Sequence, residues 1–301
     1  MNNRRIDGRH VKNQYKRLDV FRCKLQSHDS FEGWVSAFHV LKVKRCLPDG
    51  CFYFKWRCRL LEKGATCVKG YNYPGKNCRG CRFYYEDKIH KVPVVQLSDQ
   101  AYREFLDDLQ DFEDWLGSNI GRRVEVYGRV NFAGPHLTKT VYTKYSKVSL
   151  RGYLINFAEC FLGRTRFEDF VYLRISRKSQ LDLRLARGDL LEFEAELTLD
   201  QGRLVLVRPG RFEFIERSPD AFGQESDDDL SRIIVEARTA TVVSEQSERC
   251  LSCERGRLVD VIEKGTDTNQ DFRRELFCLE GVREPSLCCY ETLKKLGIRK
   301  G

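Results

Sequence analysis

Cys51-Phe52-Tyr53-Phe54-Lys55-Trp56-Arg57-Cys58-Arg59-Leu60 is the stretch on which the fold turns. Phe52, Phe54, Trp56, Cys58 and Leu60 fall on one side of a two-residue period, and Tyr53, Lys55, Arg57 and Arg59 on the other. That alternation predicts a half-buried strand with an apolar inner face. The outer face carries an aromatic ring followed by three cations. Such a face stacks bases and neutralises phosphates. Upstream, Leu47-Pro48-Asp49-Gly50 is turn chemistry after a β-prone stretch from Phe31 to Lys44. Downstream, a loop from Glu62 to Gly80 leads to another strand, Arg82–Ile89, whose Arg82 and Tyr84 extend the aromatic and basic set.

The loop is also rich in cysteine. The chain holds 13 cysteines, and eight fall into two sets. One is Cys58, Cys67, Cys78 and Cys81; the other is Cys250, Cys253 and Cys278 with Cys288 or Cys289. Each contains a C-x-x-C, which points two thiolates at one metal while the fold brings in a second pair to complete a tetrahedron. Cys58 alternates with Trp56 and Leu60 toward the interior, so Cys46, Cys51 or His90 are alternative fourth ligands of the first set. The N-terminal residues are polar and basic, so no secretory signal is expected and a reducing compartment, cytoplasmic or nuclear, follows. There the spacing reads as metal rather than disulfide. Two structural zinc sites are expected, with [4Fe-4S] as the alternative, since both use four thiolates. Cys23 and Cys160 have no partner nearby in sequence and are expected to be core.

Charge is unevenly spread. Residues 1–98 carry 21 Lys and Arg against 8 Asp and Glu, a net of +13, more than the +9 of the whole chain. This is the footprint of a polyanion binder. No run approaches the ~18 apolar residues of a membrane span, so no membrane contact is expected.

Residues 1–30 read as a basic flexible arm. Residues 99–117 read as a helix, with Tyr102, Phe105, Leu106, Leu109, Phe112 and Leu116 on one face and Glu104, Asp107, Asp108, Asp111 and Asp114 on the other. Arg122–Asn131 and His136–Ser149 add two strands, giving strand, strand, strand, helix, strand, strand over 31–147. That is the order of an OB-fold, with the cysteine insertion at 62–81. The order restarts over 148–217. Lys147–Cys160, Phe167–Ser176, Asp182–Leu185, Leu190–Leu199 and the pair Arg203–Val207 and Arg211–Ile215 are its strands. Phe170, Tyr172 and Arg174 are read as a second outward face, opposite Val171, Leu173 and Ile175. Residues 218–231 read as an acidic linker, and 232–301 as a small zinc-ribbon-like domain stapled by its cysteines. The expected class is therefore mainly β (α+β), with tandem OB-like β-barrels and a C-terminal cysteine-rich metal-binding domain.

Over roughly 31–217, in order and spacing, the chain resembles single-stranded nucleic-acid-binding proteins of the replication protein A large-subunit type. In that family a zinc ribbon interrupts an OB domain. The resemblance implies single-stranded DNA or RNA as partner, with Tyr53, Lys55, Arg57, Arg59, Arg82, Tyr84, Phe170, Tyr172 and Arg174 as contacts. The near-neutral tail is expected to meet a protein partner. Two other classes remain open. One is a structural subunit holding a larger complex together. The other is a metal-dependent nuclease, in which Pro48-Asp49 and Glu86-Asp87-Lys88 would supply two carboxylates and a lysine.

Overall fold

The computed structural model describes residues 10–25, 28, 32–219, 226–244, 246–264 and 270–295. It is mainly β, as the alternation predicts. It divides into two compact units, Arg17–Arg103, and Met1–Lys16 together with Glu104–Gly301. The first strand, β1 (His10–Val11), belongs to the larger unit.

In the smaller unit, β2 (Phe21–Arg22) pairs antiparallel with β3 (Trp34–Val35). Of the long strand expected over Phe31–Lys44, Phe31 lies outside the described residues, and the described ones keep only those two, followed by a helical turn at His39–Val43. The Ser36 hydroxyl accepts the His39 N–H at 3.3 Å and starts that turn, which buries Val40. Next come β4 (Cys51–Cys58), a single turn α1 (Arg59–Glu62), and β5 (Tyr84–Lys91). Finally β6 (Val94–Val95) pairs with the other side of β2. Among the described residues β4 and β5 pair only with each other, so the hairpin stands as two strands rather than within a first barrel.

The larger unit holds α2 from Glu104 onward; the helix as a whole is Asp99–Asn119 and runs past Gly117. Phe105, Leu109, Phe112, Trp115 and Leu116 are its buried stripe. Next are β7 (Arg123–Arg129), β8 (Phe132–Val141), β9 (Ser146–Phe157), β10 (Cys160–Leu162), β11 (Thr165–Phe167) and β12 (Val171–Ile175). Then α3 (Arg177–Leu183), β13 (Leu190–Asp200) and β14 (Arg203–Glu216) follow. The third strand expected at Asp182–Leu185 is displaced by α3. Ser176 caps it, its hydroxyl accepting the Ser179 N–H at 3.0 Å, and Arg184 ends it in the left-handed region.

In this unit the order of pairing begins and ends on one stretch of chain. β8 pairs with β9 and β9 with β12, all antiparallel. β12 lies parallel to β14, β14 antiparallel to β13, and β13 antiparallel to β7. β7 and β8 are halves of one run, separated by Val130 and Asn131, so the order returns to its start. Val130 is buried at the bend. The ring thus spans 123–216 rather than 148–217, because the run expected to end a first domain is the opening strand of this one.

The tail is not a separate body. α4 (Asp227–Thr239) begins inside the stretch read as a linker, because Ser226 and Asp229 form a capping box and Asp227–Asp229 sit at the positive end of the helix. After β15 (Thr241–Val242) and α5 (Glu248–Leu251), β16 (Gly256–Lys264) lies parallel to β8, from Val259 opposite Leu137 to Glu263 opposite Val141. β17 (Gln270–Cys278) pairs with β16. Ile233, Ala237, Val259, Val261 and Phe277 pack on Leu137 and Val148. Val243, Leu258 and Leu276 pack on Phe170, Tyr172 and Val205.

Of the expected basic arm, residues 1–9, 26, 27, 29 and 30 lie outside the described residues. In the rest of it β1 adds parallel to β11, and Tyr15 is buried with its hydroxyl donating to Glu113 at 3.0 Å.

Candidate metal centres and nucleic-acid faces

Cys58, Cys67, Cys78 and Cys81 line one small cavity, with Tyr71, Tyr73 and Tyr84 among the residues around them. Cys58 reaches it because it ends β4 opposite Tyr84, and Tyr84 donates its N–H to the Cys81 carbonyl at 2.9 Å. The local geometry favours thiolate. In Cys67-Val68-Lys69-Gly70, Gly70 takes φ +73° and donates its N–H to the Cys67 carbonyl at 2.9 Å. The Lys69 N–H is thereby turned onto Cys67 Sγ at 3.4 Å, and the Gly75 N–H reaches Cys78 Sγ at 3.5 Å. The Lys69 amide, aided by that of Tyr71, holds the Cys67 thiol below its ordinary pKa.

The alternative fourth ligands lie elsewhere. Cys46 is hydrogen-bonded to Cys51, and burial followed by that contact pushes its thiol up to about 12. His90 places Nε2 2.7 Å from the Asp49 carbonyl and stacks on Phe52. Cys58 is therefore the fourth member of the first set. Cys160 is buried, as expected of a core cysteine; Cys23 is buried too, but close enough to Cys51 and Cys46 for their charges to bear on one another.

The second set repeats the same turn. Cys253-Glu254-Arg255-Gly256 sends the Gly256 N–H to the Cys253 carbonyl at 3.0 Å and the Arg255 N–H to Cys253 Sγ at 3.4 Å. A Cβ on Gly256 would lie 2.0 Å from the Cys250 carbonyl oxygen, so only glycine fits. Cys278 ends β17 opposite Gly256, and Arg249 donates to the Cys288 carbonyl at 2.9 Å. Burial raises the Cys250 thiol, the Ser247 hydroxyl opposes it, and the neighbouring Cys288 and Cys278 raise it further. Burial likewise raises Cys253, against the amides of Arg255 and Gly256. Cys289 is exposed, and neither shift involves it, so Cys288 is the fourth member.

Among the described residues no three His, Cys, Asp or Glu side chains stand as a ready-made metal cage. The thiols gather without closing on a common centre. The donor chemistry nonetheless fits a tetrahedral thiolate metal: each set gathers four cysteines, and each has backbone amides aimed at sulfur, the feature that lowers the cost of holding negative charge there.

The expected nucleic-acid residues divide. Lys55 is exposed, but Arg57 is held by Glu62 and by Asp87, each at 3.2 Å. Arg59 belongs to α1 and lies over Tyr85, Arg82 lies over Phe83, and the Tyr84 hydroxyl donates to Glu86 at 2.7 Å. Of the three cations expected on the Tyr53 face, Arg57 is thus spent on Asp87 and Glu62. The face expected inside is open instead: Phe52 is 55% and Phe54 58% exposed. With two strands and, among the described residues, no layer packed over these rings, alternation alone does not bury them.

Phe170 and Tyr172 do not face outward. Both are buried under Val243, Leu258 and Leu276, the residues of the tail. Arg174 pairs with Asp200 at 2.6 Å. β12 alternates as a half-buried strand does, yet both its faces are covered. The acidic row of β13 is also spoken for, Glu194 by Arg123 and Arg211 and Glu196 by Arg208.

The nuclease carboxylates do not meet. Glu86 stands opposite Trp56 and Lys91 opposite Cys51, so Glu86 lies five ladder steps, about 17 Å, below the end where Asp49 sits.

One basic and aromatic patch lies outside the expected residues. The β8–β9 turn closes with the Tyr142 N–H on the Tyr145 carbonyl at 2.8 Å. Its two rings stack at 4.6 Å, and Lys264 of β16 sits 5.7 Å from the Tyr142 ring. Tyr145 is 63% exposed, and Lys144 and Lys147 are exposed beside it. The signal was present as the doubled Tyr-x-Lys of Tyr142-Thr143-Lys144-Tyr145-Ser146-Lys147.

A buried ion chain pins the tail to the ring. Asp260 of β16 lies 3.0 Å from His136 Nε2 on β8 and 2.6 Å from Arg274, which also reaches Asp200. Burial raises the Asp260 carboxyl, but the hydrogen bonds with His136 and Arg274 outweigh it and hold the group at about 2. A depressed acid stabilises the fold fully above its unfolded value near 4 and loses that contribution as pH falls through 2. About 2 kcal/mol should disappear across this window. Urea midpoints at pH 7, 4 and 2.5 should fall less steeply in Asp260→Asn than in the parent; parallel curves would remove this role.

No protein-family model, no curated protein and no solved structure matches this chain.

Proposed function

We propose that the chain binds single-stranded nucleic acid and that its two cysteine sets hold structural metal. The β8–β9 tip carries the reading: two stacked tyrosines, one well exposed, flanked by Lys144, Lys147 and Lys264. Its setting supports it. With β7 and β8 taken as one bent strand, the ring has five strands and a helix between the third and fourth, the OB-fold order. In OB-folds the loop joining the first two strands is a recurrent oligonucleotide contact. This reading keeps one OB-like barrel, over 123–216, in place of two.

At the metal sites, Cys58, Cys67, Cys78 and Cys81 would hold one ion or cluster, and Cys250, Cys253, Cys278 and Cys288 the other. Four thiolates suit zinc and equally a [4Fe-4S] cluster. When bound, the group supplies a cross-link where the small unit has little core.

Fluorescence anisotropy with a labelled single-stranded 20-mer tests the binding. Affinity should fall steeply with salt, since phosphate contacts release counterions. Tyr145→Ala should cost about 1–3 kcal/mol, the worth of one stacked base. Lys144→Ala or Lys147→Ala should instead flatten the salt slope by roughly one ion each. Equal affinity for duplex, or indifference to all three changes, would sink the proposal.

A further inference from the structure

The smaller unit, Arg17–Arg103, carries 17 Lys and Arg against 8 Asp and Glu, so its +9 equals the excess of the whole chain. Its open hairpin face is built in two rows. Phe52, Phe54 and Trp56 form one row on β4, and His90, Lys88 and Glu86 stand opposite them on β5. Directly paired residues of antiparallel strands share a face. Lys88 Nζ lies 4.1 Å from the Phe52 ring centre, and His90 stacks on the same ring at 4.5 Å. Arg79 lies 5.8 Å from the Trp56 ring. The carboxylate in the row, Glu86, accepts the Tyr84 hydroxyl. Exposed rings with cations beside them suit a polyanion whose bases have apolar faces.

Spacing then narrows the ligand. Phe52 and Phe54 are two residues apart on one strand, hence about 7 Å. That is twice the ~3.4 Å rise of one stacked strand. Neighbouring bases cannot stack on each other and also lie one per ring. We infer that the Phe52–Phe54 face is a second single-strand platform that takes unstacked bases, and so selects flexible pyrimidine-rich strands over purine runs that stack on themselves. Sequence preference of this kind comes from stacking strength and backbone flexibility, not from hydrogen-bond readout. The inference rests on the single-strand reading but uses residues distinct from the β8–β9 tip.

The test uses the full chain with labelled oligothymidine and oligoadenosine 20-mers, followed by anisotropy at two salt concentrations, with the oligomeric state read in parallel by light scattering. The intact chain should favour oligothymidine. Phe54→Ala and Phe52→Ala should each weaken oligothymidine binding about 5- to 150-fold, the loss expected for one stacked base. They should weaken oligoadenosine much less, erasing the preference. Tyr145→Ala should instead weaken both strands alike. Both phenylalanines are exposed, so the variants keep the fold, which circular dichroism checks. Binding that persists unchanged in Phe52→Ala and Phe54→Ala overturns this inference alone. No binding of either strand by the intact chain overturns the wider reading with it. A dimer of the intact chain that Phe54→Ala dissociates, with nucleic-acid affinity untouched, would assign the face to self-association and overturn the inference.

Discussion

A chain ending at Ser218 should lose the cooperative unfolding of the intact protein and aggregate, rather than persist as a trimmed sheet. Its last 83 residues include β16, which adds to β8, and the side chains that cover two apolar patches of the ring. Without them Leu137, Val148, Phe170, Tyr172 and Val205 are uncovered. At about 1.5–3 kcal/mol for each large side chain, the loss rivals the ~5–15 kcal/mol that holds a typical domain folded. Strand edges add to it: β8 would face solvent with its hydrogen-bonding groups unpaired, an invitation to aggregation. Thermal denaturation and light scattering decide the matter. A truncated chain with the parent's sharp transition and monomeric mass would show that the tail is separable after all.

That expectation reverses the division suggested by composition, and the reason is instructive. Asp227-Asp228-Asp229 after Ser226 has the composition of a linker and the chemistry of a helix start, and composition alone does not choose between them. The strands after it carry apolar residues in the right alternation, but nothing local states which partner they pair with. A parallel pairing such as β16 on β8 joins residues more than a hundred positions apart. Phe170 and Tyr172 failed for the same reason: alternation marks which residues share a face, not whether a distant segment covers it. Phe52 and Phe54 are the converse, an apolar row that no second layer covers.

Local signals fared better. The α2 stripe, the turn before β4, β13 and the two cysteine sets were all readable, because each depends on residues close in sequence. The choice of Cys58 and Cys288 needed the fold, since it turns on Cys58 lying opposite Tyr84 and on Cys289 facing solvent. The C-x-x-G turns at Cys67 and Cys253 were legible as spacing, but their meaning lies in amides aimed at sulfur.

Protein prepared without chelator or oxygen should carry about two metal groups per chain, either two zinc ions and no colour or two [4Fe-4S] clusters, about eight iron atoms, and a brown colour, one group per site being one equivalent. Cys253→Ser should remove one equivalent, whereas Cys289→Ser should remove none. The stability cost should be large, because metal binding to such a site is folding free energy. Loss of several kcal/mol lowers the midpoint of a domain of this size by on the order of 10 °C. The second site has a particular reach. Its knuckle touches the ring directly: Asn156 Nδ2 donates to the Leu251 carbonyl and Asn131 Nδ2 to the Ser252 hydroxyl, both at 2.8 Å. Cys250 and Leu251 also border the patch over Phe170 and Tyr172. Cys253→Ser should therefore loosen the cover over Phe170 and Tyr172, read as faster amide exchange in β12 and β16. Cys78→Ser should remove the other equivalent and melt only the Arg17–Arg103 unit, leaving exchange in β12 unchanged. Neither zinc nor iron above trace in the intact protein, or a Cys253→Ser protein that keeps both equivalents, would end the metal proposal.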